Sequence, residues 1–264
     1  MNRPAAARSR GRRFESGFTL TELAIVMLVV ALLLGGLVMT LSAQLESREI
    51  ADTRRTLEAA RDALIGFAVQ NGRLPCPGQP GSNGLESGWN STTGACAQPE
   101  GLLPAATLGL GPVDAQGFMR DGWPGNAANR IRYRVATGAS VTGGGCSATA
   151  IANVFTAANG MKQAGFNCLN PSLTVCTTAG GSPATDCSAS AVKHATMAVV
   201  WSVGKSHVAD GAVSADEQEN TDGDAFFVDR DFTAAGTSSS QFDDLVIWIP
   251  PQILYNRLIA GGAI

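Results

Sequence analysis

The chain has 264 residues, 45% of them hydrophobic and 16% charged, with 31 Gly and 12 Pro and a mean hydropathy slightly above zero. That length holds one full domain and an appendage, and so much apolar content excludes an intrinsically disordered chain. A net charge of -3 with an isoelectric point near 5.4 supplies no basic field to hold nucleic acid, and two His residues argue against a multi-His metal site.

The charge is uneven along the chain. Residues 1–17 hold five Arg (Arg3, Arg8, Arg10, Arg12, Arg13) and one Glu, a balance of +4, so the remainder carries -7. From Leu23 to Leu45 run 23 residues without a charge. As a helix rising roughly 1.5 Å per residue they cover about 34 Å, against a bilayer core of roughly 30 Å, and are expected to span a membrane. A cleaved secretory signal is the alternative, but its apolar region is shorter and ends in a small-x-small site, which Leu41-Ser42-Ala43 matches poorly. Arg48, Arg54, Arg55 and Arg61 follow the span, so counting basic residues does not decide its orientation. The six cysteines decide it better. Cys76, Cys96, Cys146, Cys168, Cys176 and Cys187 all follow the span and include no C-x-x-C pair. They predict disulfides in an oxidising compartment, with the basic tip in the cytoplasm and the body outside. Neighbour pairing, 76 with 96, 146 with 168 and 176 with 187, closes three short Gly-, Ser- or Pro-rich loops; free thiols are the alternative.

At the junction, Arg12-Arg13-Phe14-Glu15-Ser16-Gly17-Phe18-Thr19-Leu20-Thr21-Glu22 sets one carboxylate at the start of the apolar run. A lone ionisable group in a membrane helix costs on the order of 2.5–3.5 kcal/mol on insertion scales, so Glu22 needs a function or a partner. The α-amino group freed by a cut after Gly17 would be such a partner, supplied by a neighbouring subunit. This stretch resembles the leader of type IV pilins and type II secretion pseudopilins: a short basic leader ending in Gly, then Phe, with Glu as the fifth residue after the cut. Gly17, Phe18 and Glu22 hold those positions. The resemblance implies cleavage between Gly17 and Phe18 by a prepilin peptidase, N-methylation of Phe18, and assembly with other pilin or pseudopilin subunits on an inner-membrane platform. It implies a structural subunit and not an enzyme, and a body larger than that of a typical major pilin makes a minor pilin or pseudopilin the expectation. The subunit would sit as a single-pass inner-membrane protein with a periplasmic body before entering a pilus or pseudopilus.

Beyond the span, Ile50, Leu57 and Leu64 recur every seven residues with Thr53, Ala60 and Phe67 three after each, an apolar stripe on one helix face. Arg48, Glu49, Asp52, Arg55, Glu58, Arg61 and Asp62 occupy the other face. One helix is therefore expected from Thr19 to Gln70, stopped by Asn71-Gly72, Pro75 and Pro77, its stripe packed on the body's own sheet; a coiled-coil dimer is the alternative. Residues 73–130 read as loop with short elements, 131–135 as a half-buried strand, and 138–190 as an irregular insertion stapled by disulfides. Met197–Val203, Ala225–Val228 and Leu245–Ile249 read as strands, and Pro250-Pro251 opens a short helix through Leu258. The fold class is α+β, a long N-terminal helix on an antiparallel sheet. The domains are 1–17 leader, 18–45 membrane and assembly helix, 46–72 amphipathic half, and 73–264 extracytoplasmic body.

Eight carboxylates lie between Asp210 and Asp231. They repel one another unless solvated, spread apart, or bridged by a hard cation such as calcium, which takes six to eight oxygen ligands. Gln218, Asn220, Asp222, Gly223, Asp224 and Asp229 fall at positions 1, 3, 5, 6, 7 and 12 of a partial EF-hand-like count. The candidate ligands in this acidic stretch are Asp216, Glu219, Asn220, Asp222, Asp224 and Asp229, and major pseudopilins, which the leader resembles, hold calcium in a comparable loop. A solvated acidic loop is the alternative. Catalytic patterns are decoys: Gly204-Lys205-Ser206 ends like a P-loop but Val199 stands where its first Gly belongs, and His194 and His207 have no G-x-S-x-G partner. Asp243-Asp244 reads as an acidic turn, and Asn90-Ser91-Thr92 as a glycosylation sequon wherever a compartment reads it. The competing function is a membrane-anchored extracytoplasmic binding protein or hydrolase that never polymerises.

Overall fold

The computed structural model describes residues 19–123, 129–180, 186–205, 214–233 and 241–263, and within them all side chains except those of 36–43. The leader, with Gly17 and Phe18, lies outside the described residues. Helix α1 runs Leu20–Asn71, 52 residues. The chain divides into two units, 1–47 and 48–264. In the first, every described side chain from Thr19 to Gly35 is exposed, Leu20 at 84% and Leu32 at 70%. Among the described residues no helix is long and apolar enough to cross a membrane; the expected span includes 36–43, whose side chains are not described.

In the second unit, residues 48–71 of α1 bury a row of Thr53, Leu57, Ala60, Leu64 and Ala68, with Ile65 beside it. The steps are four, three, four and four, close to 3.6 residues per turn, so the stripe drifts from the expected Phe67 to Ala68 as a straight helix requires. That drift separates packing on the body from the strict heptad of a coiled coil. Thr53 is buried because its hydroxyl donates to the Glu49 carbonyl at 2.8 Å and accepts the Gly122 amide at 2.9 Å. A β-carbon on Gly122 would meet the Glu49 carbonyl oxygen at 2.5 Å, so only glycine permits this approach.

The body holds β1 (Glu100–Leu102), α2 (Ala105–Leu108), β2 (Arg132–Val135), α3 (Gly160–Ala164), β3 (Leu173–Cys176), β4 (Lys193–Thr196), β5 (Ala198–Ser202), α4 (Ala215–Glu219), β6 (Phe226–Val228), β7 (Leu245–Trp248) and α5 (Pro251–Ala260). The first sheet, in the order β1-β2-β5-β7, is antiparallel throughout. Its central strand β5 is buried at every position. A second sheet, in the order β4-β3-β6, was not expected, and its β3–β6 pair is parallel. Strand β3 lies inside the supposed irregular insertion, where a four-residue element between Ser172 and the Cys176 disulfide is too short to show a period. Two aromatic contacts join the sheets: Trp201 meets Phe227 edge-on at 4.9 Å, and His194 stacks on Trp248 at 5.8 Å.

The end of α1 is fastened by Gly72 and Arg73. Gly72 takes φ +65 and returns its amide to the Ala68 carbonyl, the left-handed stop that Asn71-Gly72 predicts. Arg73, 6% exposed, forks onto Glu86 at 2.7 and 2.9 Å with its guanidinium 3.7 Å from the Trp89 ring centre. The three disulfides are Cys76–Cys96, Cys146–Cys168 and Cys176–Cys187, the neighbour pairing read from the loops.

Leu64 is fully buried in the main core, whereas Gly66, two residues on, faces open space. Leu64→Ala is therefore expected to cost about 2–5 kcal/mol, and Gly66→Ala to gain about 0.5–1 kcal/mol, by chemical denaturation. Equal effects at the two positions would mean that this face of α1 is not packed on the body.

Candidate functional site

Two groups of carboxylates meet around α4. Helix α4 starts with a reciprocal cap: Ser214 Oγ accepts the Glu217 amide at 3.3 Å and Glu217 Oε2 accepts the Ser214 amide at 2.9 Å. That cap turns Glu217 inward, where its Oε1 accepts the Asp243 amide at 3.1 Å. Asp244 accepts the Asn220 side-chain amide at 2.8 Å, and Asp243 accepts the Lys205 amide at 2.9 Å. Glu217, Asp243 and Asp244 are all buried, at 2%, 4% and 3% exposed. Burial, reinforced by the neighbouring charges, raises Glu217 above the ordinary carboxylate range and Asp244 far above it. The Asp243-Asp244 turn is thus interior. Its sequence signal was the strand that follows at once, Leu245–Trp248.

The second group is Glu219, Asp222 and Asp224, whose carboxylate oxygens lie within 4.8 Å of one another. Asp222 accepts the Asp224 amide at 3.0 Å, and Asp224 accepts the Phe226 amide at 2.7 Å, so the turn after α4 folds around its own carboxylates. Glu219 is 1% exposed, and among the described residues neither of its oxygens has a hydrogen-bond donor. Burial first, then the charges of Asp224 and Asp222, push its carboxyl up to about 7. Orphaned oxygens facing two more carboxylates match the donor set of a hard divalent cation.

Of the expected calcium ligands, these three come together and the others do not. Asp216 pairs with Arg230 at 2.8 Å and accepts Thr178 Oγ1 and the Ala179 amide. Asn220 is turned inward, its oxygen accepting the Val228 amide at 2.7 Å. Asp229 lies beyond the turn, past β6; burial raises it to about 6 against the opposing charge of Arg54. Asp210 and His207 lie outside the described residues. Arg134 fixes the turn from the first sheet, donating to the Gly223 carbonyl at 2.7 Å and to Glu100 at 2.6 Å. Gly204, with φ +65, lies so close to Asp243 that a β-carbon would meet its Oδ1 at 2.3 Å. The P-loop-like glycine is therefore a turn residue that seats a buried carboxylate.

At the other end of the chain Glu22 lies in the first turn of α1. Its Oε2 accepts the Thr19 amide at 2.9 Å and the Thr19 hydroxyl at 2.8 Å. The carboxylate that seemed stranded in the sequence has partners three residues away.

The family model of the prokaryotic N-terminal methylation motif matches residues 12–38. The chain carries this motif, which is characteristic of type IV pilins and pseudopilins, over those residues. No curated protein and no solved structure matches the chain.

Glu219 binds its proton more tightly folded than unfolded, so the stability it contributes is complete below the ordinary carboxylate range and is lost as pH climbs through about 7. In chelator, the melting temperature of the native chain should fall between about pH 5 and 8, and Glu219→Gln should flatten that fall. An unchanged slope in the variant would mean that Glu219 titrates normally.

Proposed function

We propose that this chain is a structural subunit that a prepilin peptidase cuts between Gly17 and Phe18, and that then assembles with other pilin or pseudopilin subunits through α1. The observation that carries this reading is the conjunction of the methylation motif at 12–38 with an apolar helix whose described side chains, from Leu20 to Leu34, are all exposed. Exposed apolar surface of that extent requires a bilayer or other copies. Lipid supplies the cover before assembly and neighbouring helices supply it afterwards. The uncharged run Leu23–Leu45 is the proposed anchor, and the disulfide-bonded body is the part outside the inner membrane.

Glu22 is the residue proposed to pair with the new amine of Phe18 on an adjacent copy. Its chemistry suits that task because a carboxylate and an ammonium in an apolar interior stabilise each other only together. Glu219, Asp222 and Asp224 are proposed to hold a structural calcium ion, with backbone carbonyls and water completing its oxygen shell. The cation would neutralise three crowded carboxylates and tie the end of α4 to β6.

Mass spectrometry of the mature chain is expected to find Phe18, methylated, at its N-terminus. Gly17→Ala should retain the leader, and Glu22→Ala should leave membrane insertion intact while removing the chain from sheared filaments. A mature N-terminus elsewhere defeats the assembly reading. Separately, calcium at about 100 times its dissociation constant should stabilise the native chain by about 2.7 kcal/mol and Glu219→Gln by far less. A melting temperature indifferent to both calcium and chelator removes the ion from the proposal.

A further inference from the structure

The first turn of α1 shows how a single carboxylate can serve two ends. The leading amides of a helix have no intrahelical acceptor, and in apolar surroundings each is costly to leave unpaired. Thr19 and Glu22 satisfy two of the amides reciprocally. Thr19 Oγ1 accepts the Glu22 amide at 3.3 Å, and Glu22 Oε2 accepts the Thr19 amide at 2.9 Å, the spacing of a capping box. The threonine hydroxyl also donates to the same Oε2 at 2.8 Å and lies 3.1 Å from Thr21 Oγ1. One carboxylate oxygen therefore takes two donors from Thr19. Among the described residues the other, Oε1, takes none.

We propose that Thr19 is a positioning residue for Glu22: it commits Oε2 to the subunit's own helix start, fixes the side chain's direction, and leaves Oε1 for the ammonium group of an adjacent copy. Without the hydroxyl, the carboxylate keeps only the backbone amide and samples other rotamers, so pairing with a neighbour must first order it. The inference rests on the assembly reading above and assigns a separate residue within it. It also accounts for the presence of Glu22 in a chain that has not yet met a neighbour, since the carboxylate caps its own helix until then.

The test uses the full chain in its membrane. Thr19→Val keeps the shape and the backbone amide but removes the hydroxyl; Thr19→Ser returns the hydroxyl. Incorporation into sheared filaments is quantified by immunoblot, and the mature N-terminus is mapped separately. Thr19→Val is expected to be cut at the same bond and incorporated about five-fold less, with Thr19→Ser near the native level. Because the hydroxyl acts through the carboxylate, Thr19→Val combined with Glu22→Ala should be no worse than Glu22→Ala alone. Native incorporation of Thr19→Val, or an added loss in the double variant, overturns the proposal. So does a Thr19→Val chain that stays uncut, because it then acts on the peptidase. Normal incorporation of Glu22→Ala, or absence of the native chain from filaments, defeats the assembly reading itself.

Discussion

Uncovered apolar surface is the constraint from which the remaining features follow. Residues 20–34 form a helix whose Leu, Ile, Val and Met side chains are exposed on every side among the described residues. A helix that is apolar all round belongs in a bilayer or among other helices. The body solves the opposite problem with the same element. From residue 48 onward α1 carries one apolar stripe, and the four-stranded sheet buries it with Leu57, Ala60 and Leu64 at no exposure at all. A single helix thus presents two kinds of surface, and the change falls where the charged residues begin.

The helix, its stop at Asn71-Gly72, the half-buried β2 and the strands β5, β6 and β7 were legible because period and punctuation are local properties. Gly72 stops α1 by its own backbone freedom. The second sheet was not legible. Strands β3 and β4 are four residues each, and what pairs β3 in parallel with β6 is a long-range register that no short window records. Disulfide pairing was accessible because each loop is short, with separations of 20, 22 and 11 residues.

The acidic region divides in the same way. Counting carboxylates located the crowded turn, and Glu219, Asp222 and Asp224 do converge there. Counting could not foresee that Arg230 neutralises Asp216 or that Asn220 faces inward to Val228 and Asp244. Those outcomes depend on β6 and β7 arriving from elsewhere in the chain. At Glu22 a local contact adds to the reading. A carboxylate at the border of an apolar run looked partnerless, but Thr19, three residues upstream, has the spacing of a helix cap. The cap is a local motif, set by two residues three apart.

Arg73 carries a mechanical consequence. It stands two residues past α1, gripped by Glu86 and stacked against Trp89, and three residues before a cysteine bonded to Cys96. Tension applied along residues 48–71 would therefore leave the helix through a half-buried ion pair and a covalent bridge in close succession. The loop that follows α1 is its tether, and reduction of Cys76–Cys96 would leave the guanidinium fork to carry the load.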